Sequence, residues 1–262
     1  KLSGLARLGF NRLSLGVESL SPSILARLGR EYSREDVADV MEAARRSGLV
    51  NINLDIILGW PWEKDDDYKK SLAMVAALNP THLSVYPLKV EEGTPFARQA
   101  VVEDFDRQAD QYLWTHEMLE DAGWEHYEVA NFARPGHRAK HNLIYWRYDD
   151  YLGAGVAASS KIGSRSFSNV RVMEKYMANI ETGIQASGDE ENLSPDDILR
   201  RKVILGLRLK EGVPEAWLNR TTNEQALQGF IEKDYLMVQS GQAQLTPRGW
   251  LIANQLFMHV LN

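Results

Sequence analysis

The 262-residue chain contains no cysteine. It can form no disulfide, offers no thiolate nucleophile and cannot ligate an iron–sulfur cluster through sulfur of its own. Absence of disulfides fits a reducing compartment, and a cytoplasmic location is expected. No apolar run reaches the roughly 18–20 residues that span a bilayer, and no signal peptide opens the chain. Clustered lysines and arginines are missing too: net charge is −6 and the pI is near 5.6. Nucleic acid is therefore not an expected partner, because binding it needs basic groups that displace counterions. Also lacking are a Gly-x-Ser-x-Gly elbow, a Walker loop, Gly-x-Gly-x-x-Gly and His-Glu-x-x-His, so none of those catalytic signatures assigns a chemistry.

What is present suffices for a sizeable core: 44% of residues are hydrophobic and 25% charged, in one large domain or two unequal ones. The chain starts at Lys1, without Met, inside a stretch that reads as a helix, and so reads as a fragment. Its first ninety residues alternate between two periodicities. Leu13, Leu15 and Val17 share one face of a strand over 11–17, and Ser33 caps a helix through Arg46 that Gly48 stops. A strand over Asn51–Leu58, a helix over Asp65–Leu78 and a strand over Thr81–Tyr86 follow. This is the βαβ rhythm of a parallel sheet.

One face of these strands is apolar, for helix packing. The other carries Arg12, Ser14, Gly16, Glu18, Asn53, Asp55, His82, Ser84 and Tyr86. A packed barrel interior is mostly bulky aliphatics, so small and polar residues there predict a lumen holding a ligand or water, or else a satisfied network of buried polar groups. Glu18 and Asp55 could accept hydrogen bonds from hydroxyls, and Arg30 could clamp a carboxylate or simply pair with a neighbouring acid.

Beyond a helix over about 104–121, residues 128–146 read as turns, 151–160 as a small-residue segment and 172–180 as a helix. The acidic stretch Ser187–Asn192 reads as a connection. The tail reads as helices over 195–209, 223–233 and 247–261 with a hairpin over 236–245, a winged-helix-like pattern used for packing or for DNA. His141-Asn-Leu-Ile-Tyr-Trp146 groups an imidazole with two flat rings, suited to a haem iron and a porphyrin face or to an ordinary structural hydrogen bond. His137 would form a metal-binding pair with His141 only on a helix, which Pro135-Gly136 argues against.

Taken together and in order, several blocks resemble the radical-SAM proteins related to oxygen-independent coproporphyrinogen III oxidase, nearest to the HemW-type haem chaperone branch. They are Arg12–Ser19, Asn53–Pro61, Leu83–Leu88, Glu92–Phe96, Tyr127–Ala133, His141–Trp146 and Leu245–Gly249. The resemblance implies an α/β fold: part of a (β/α)6 barrel, then a small, mostly helical winged-helix-like domain. It implies the second half of the barrel over 1–100, an extension over 101–186 carrying the His-Asn-x-x-Tyr-Trp block, and the tail domain over 187–262.

The same resemblance implies S-adenosylmethionine held over a [4Fe–4S] cluster whose ligands lie outside this chain. Glu18 and Asp55 would take the ribose side and Arg30 the methionine carboxylate, with Lys89 and Ser159 near further contacts. His141 would be the haem-iron ligand, with Asn142, Tyr145 and Trp146 beside the haem. Partners implied are haem and acceptor haemoproteins of respiration, with peripheral membrane association and a homodimer as further expectations. No residue of this chain is expected to be catalytic, and without cluster cysteines it cannot do radical chemistry alone.

Three departures stand out. Glu18 replaces a usual Gln, Trp62 a usual Gly, and Ser159 the usual His of an Ala-His-Ser triplet. The alternatives are the oxidase itself and a non-catalytic interaction protein on a degenerate barrel.

Overall fold

The computed structural model describes residues 1–183 and 187–261. They divide into two compact units, Lys1–Arg138 and Ala139–Asn262.

The first unit runs α1 (Leu2–Arg7), β1 (Arg12–Glu18), α2 (Pro22–Arg27), α3 (Arg34–Arg46), β2 (Asn51–Leu58), α4 (Asp65–Ala77), β3 (His82–Pro87), α5 (Pro95–Arg98), α6 (Phe105–Asp121), β4 (Glu125–Glu128) and β5 (Asn131–Ala133). Strands β1, β2 and β3 lie side by side and parallel, with α3 and α4 as crossovers. This is the parallel βαβ arrangement expected from the alternating periodicities. The sheet then continues with β5 antiparallel to β3 and β4 antiparallel to β5. Four-residue and three-residue strands are too short to show a period, which is why 128–133 reads as turns in the sequence.

Helix α3 starts where Ser33 and Asp36 cap each other: the Asp36 amide donates to Ser33 Oγ at 3.2 Å and the Ser33 amide to Asp36 Oδ2 at 2.7 Å. It buries Val37, Met41 and Ala44, and α4 buries Tyr68, Leu72 and Val75, each set at i, i+4, i+7 on one face. Helix α4 packs on β2, whose Ile52, Leu54, Ile56 and Leu58 are all at most 1% exposed. Full burial of each such side chain contributes roughly 1.5–3 kcal/mol. At the end of β2 the Gly59 amide donates to Gln111 Oε1 of α6 at 2.8 Å. Gly59 has φ +83°, and a Cβ there would lie 2.4 Å from Gln108 Cγ, so only glycine permits this approach.

The second unit runs α7 (Lys140–Trp146), β6 (Ser159–Ile162), β7 (Arg165–Asn169), α8 (Met173–Glu181), β8 (Ser187–Asn192), α9 (Pro195–Gly206), β9 (Val213–Pro214), α10 (Glu215–Thr221), α11 (Glu224–Glu232), β10 (Leu236–Gln239), β11 (Gln242–Leu245), α12 (Pro247–Leu251) and α13 (Ala253–Leu261). The order α9–β9–α10–α11–β10–β11, with the three strands in one sheet ordered β10-β11-β9, is winged-helix-like. Leu207, Leu218, Ala243, Leu256 and Val260 form part of its core, each at most 1% exposed.

The readings of 187–192 and of the last helix change. The stretch 187–192, expected to be a connection, is strand β8, antiparallel to β7. Arg165 on β7 pairs with Glu190 on β8 at 2.8 and 2.9 Å, and Glu190 and Glu191 are both exposed. An edge strand held by charged pairs leaves no hydrophobic alternation to read. The helix expected over 247–261 breaks into α12 and α13 at Ile252, whose φ is −116°. Among the described residues no helix is long and apolar enough to cross a membrane.

Candidate functional site

Ligand sites in parallel β/α folds form beyond the C-terminal ends of the strands, where β1 delivers Glu18. Its backbone is left-handed, φ 58°, and the Ser19 amide turns back to the Val17 carbonyl at 2.5 Å. This tight turn is uncommon for a non-glycine residue. Arg30 meets Glu18 as a fork, Nη2 to Oε1 at 2.7 Å and Nε to Oε2 at 3.4 Å. The arginine side chain is 50% exposed and the glutamate 21%. Hydrogen bonding to Glu18 raises the Arg30 pKa.

Asp55 lies opposite Gly16 in the β1–β2 register. A Cβ on Gly16 would meet only Glu18 Oε1, at 3.9 Å. The missing side chain therefore leaves open space beside both carboxylates. Asp55 Oδ1 accepts from Asn53 Nδ2 at 2.6 Å and Oδ2 from Ser14 Oγ at 3.1 Å. A carboxylate offers about four lone-pair positions, and two are used by these bonds.

The network continues inward. Asn53 Oδ1 lies 2.6 Å from His82 Nδ1 and accepts from Ser84 Oγ at 3.2 Å; His82 Nε2 lies 2.8 Å from Tyr127 Oη. Burial drives the His82 pKa down to about 3, Arg12 adding to the shift, so the ring is neutral at physiological pH. Burial likewise lowers the Arg12 pKa. The sequence face that predicts a lumen thus contains both things anticipated as alternatives: a satisfied polar network at its base and open space above Gly16. Asn53 and His82 were visible as members of that face. Tyr127 was not, because β4 carries no period.

Lys89 follows β3, exposed, with its ammonium 2.6 Å from Glu91, which raises its pKa. Ser159 belongs to the second unit, exposed on β6. Its carbonyl would lie 2.2 Å from a Cβ on Gly153, so the small-residue segment serves close backbone packing there.

The His141 block, expected to be loop, is helix α7. His137 lies outside that helix, so the helical His pair does not form. A spacing of four brings His141 and Tyr145 onto one side. His141 Nε2 is 2.9 Å from Tyr145 Oη, and the two rings stand edge-on at 4.9 Å. Tyr145 stacks edge-on with Tyr151 at 4.7 Å, a neighbour that sequence spacing did not reveal. Both His141 and Tyr145 are exposed. Asn142 and Trp146 fall about 100° further round the helix. The Trp146 ring lies under the Arg208 guanidinium at 5.3 Å. Among the described residues its buried Nε1 has no hydrogen-bond partner.

Comparison with known proteins fits this picture. The Radical SAM superfamily profile matches residues 1–75 and the HemN C-terminal domain profile matches residues 193–252. Haem chaperone HemW of Synechocystis is 37% identical over 227 residues, 83% of this chain and 55% of that protein. HemW of Mycobacterium tuberculosis is 33% identical over 258 residues, 97% of this chain and 66% of that protein. HemW of Escherichia coli is 38% identical over 157 residues, 60% of this chain and 42% of that protein. The chain thus spans between about two fifths and two thirds of the length of these relatives. Among solved structures, coproporphyrinogen III oxidase (HemN) from Escherichia coli, a radical SAM enzyme, superposes with a TM-score of 0.77 at 25% identity, over 99% of this chain and 67% of that one. With both profiles in their order and HemW proteins matching along nearly its whole length, the chain belongs to the HemW-type branch of the radical-SAM family.

Proposed function

We propose that this protein is a haem-binding chaperone of the radical-SAM class, acting in the cytoplasm and passing haem to respiratory haemoproteins. The observation that carries the reading is helix α7, which presents an exposed imidazole beside two tyrosine rings. An imidazole nitrogen suits haem iron, and flat rings suit a porphyrin face. His141 is the proposed iron ligand, with Asn142, Tyr145 and Trp146 around it. Peripheral membrane association and a homodimer complete the proposal for the whole protein. In this reading, 1–100 serves the nucleotide, 101–186 carries the haem block and 187–262 is the tail domain.

S-adenosylmethionine fits the first unit, because the space over Gly16 is bordered by Glu18 and has Asp55 opposite. Bound, it would supply a nucleotide whose ribose hydroxyls meet those carboxylates and whose methionine carboxylate meets Arg30. Because Arg30 already pairs with Glu18, the ligand would share that fork. Lys89 and Ser159 are proposed as further contacts. A [4Fe–4S] cluster is not fitted by this chain, which has no cysteine.

The likeness to coproporphyrinogen III oxidase supports a second reading, radical decarboxylation of propionate side chains. Absorbance titration of the whole protein with haem, together with a carbon dioxide assay on coproporphyrinogen III, separates the two. The chaperone reading expects saturable binding near one haem per chain and no carbon dioxide. Carbon dioxide release would overturn it, and neither activity would return the fold to a purely structural or interaction role.

A further inference from the structure

We infer that His82 and Asn53 are positioning residues for the nucleotide site, aiming a fixed series of hydrogen-bond donors at Asp55. The inference rests on the proposed role of Asp55 and goes beyond it.

The ordering starts at the carboxylate. An ionised Asp55 can only accept, so the Asn53 amide must turn its Nδ2 toward it, as the 2.6 Å contact has it. Asn53 Oδ1 then faces His82 Nδ1 at 2.6 Å. Two acceptors cannot share that distance, so Nδ1 carries the proton. His82 is buried and neutral, which leaves Nε2 bare. At 2.8 Å from Nε2, Tyr127 Oη must therefore donate. The carboxylate thus fixes the amide, the amide fixes the imidazole tautomer, and the tautomer fixes the phenol.

Every donor in this series points toward Asp55, and Ser84 Oγ adds another to Asn53 Oδ1 at 3.2 Å. Asn53, His82, Ser84 and Tyr127 are each at most 3% exposed, so water does not compete for these bonds. One Asp55 oxygen is held from inside by Asn53 and the other from the β1 side by Ser14. The remaining lone pairs are left for a ligand's hydroxyls. Hydrogen bonds that polarise one another in a dry interior strengthen together, which makes the series a device for keeping the Asp55 carboxylate aimed.

The test uses the intact chain, with adenosine and 2′,3′-dideoxyadenosine as probes by NMR titration; their affinity ratio reads recognition of the ribose hydroxyls. In the unmodified protein the nitrogen-15 spectrum of His82 should show a protonated Nδ1 and a bare Nε2. A protonated Nε2 would overturn the donor order without any substitution. His82→Leu should lower the ribose ratio about three- to tenfold, the usual range for losing a buried hydrogen bond. His82→Asn, whose Nδ2 can replace the Nδ1 donor, should restore most of it. An Asn variant no better than Leu would mean that the ring only packs.

Tyr127→Phe, which keeps the ring, gives the same reading should His82→Leu not fold: a lowered ratio supports the series and an unchanged one overturns it. Asp55→Asn separates this inference from the reading beneath it. If Asp55→Asn leaves the ratio intact, Asp55 does not hold a ribose and both fall. If Asp55→Asn abolishes the ratio while the His82 and Tyr127 variants keep it, only the positioning role falls.

Discussion

Glu63 sits behind the end of β1, buried at 3% exposure, with Oε1 accepting from Ser19 Oγ at 3.2 Å. Among the described residues its Oε2 has no partner. Burial raises its pKa to about 7 against an ordinary value of 4.5, with Ser19 and Arg107 opposing the shift and Asp67 and Asp65 adding to it. The folded chain therefore holds a proton that the unfolded chain releases between pH 4.5 and 7, and this group's contribution to stability falls as pH rises through that window. Glu63→Gln keeps the shape without the charge. It should raise stability above pH 7 by about 2 kcal/mol and leave it unchanged near pH 4.5; denaturant melts across that range check this. An equal gain at both ends would mean that the effect is not ionisation. His82 acts with the opposite sign: its pKa falls to about 3, so its contribution is lost as pH drops below about 6.5. At this scale the polar strand face was legible because alternation exposes it. The partner of each polar atom was not, because Asn53 meets His82 and His82 meets Tyr127 across strands that only the fold brings together.

Gly153 and the Ser33 cap show what holds individual elements. A Cβ on Gly153 would lie 2.2 Å from the Ser159 carbonyl oxygen, and backbone cannot yield as a flexible side chain does. Gly153→Ala should cost about 2–4 kcal/mol and lower the melting temperature of the second unit. A loss under about 0.5 kcal/mol would show that the segment relaxes freely. Ser33→Ala removes one half of the α3 capping box and should cost about 1 kcal/mol in the first unit. The long helices and parallel strands were readable because their caps, stop signals and buried stripes agree. The elements that escaped are β4 and β5, too short for a pattern, and β8, whose exposed glutamates pair across to Arg165 and read as loop. Helix α7 escaped because Pro135-Gly136 gave the preceding turn more weight than His141–Trp146 itself; its N-cap, Ala139, makes no side-chain capping hydrogen bond.

For the whole molecule, the edges of the five-stranded sheet matter. β1 is an outer strand, and close to it in the chain Leu8 is 78% exposed and Phe10 57%. An unpaired seven-residue edge beside exposed apolar groups favours association. The chain in solution should self-associate in sedimentation and melt broadly; a monomer with a sharp melt would contradict this. The winged-helix-like order of the tail was legible from its helix–hairpin–helix pattern, and the parallel βαβ segment from its rhythm. That two tyrosines and an imidazole gather on one exposed helix was not, since Tyr145 and Tyr151 meet through the return of the chain toward β6.

Whether haem is held through His141 is decided by titrating the whole protein with haem beside its His141→Ala and Tyr145→Phe variants, following the Soret band. Coordination through His141 Nε2 must displace the Tyr145 hydroxyl 2.9 Å away. Near-stoichiometric binding is expected, weakened at least tenfold by His141→Ala and kept or tightened about threefold by Tyr145→Phe. Binding that ignores His141→Ala would contradict the claim and leave that histidine as a structural partner of Tyr145.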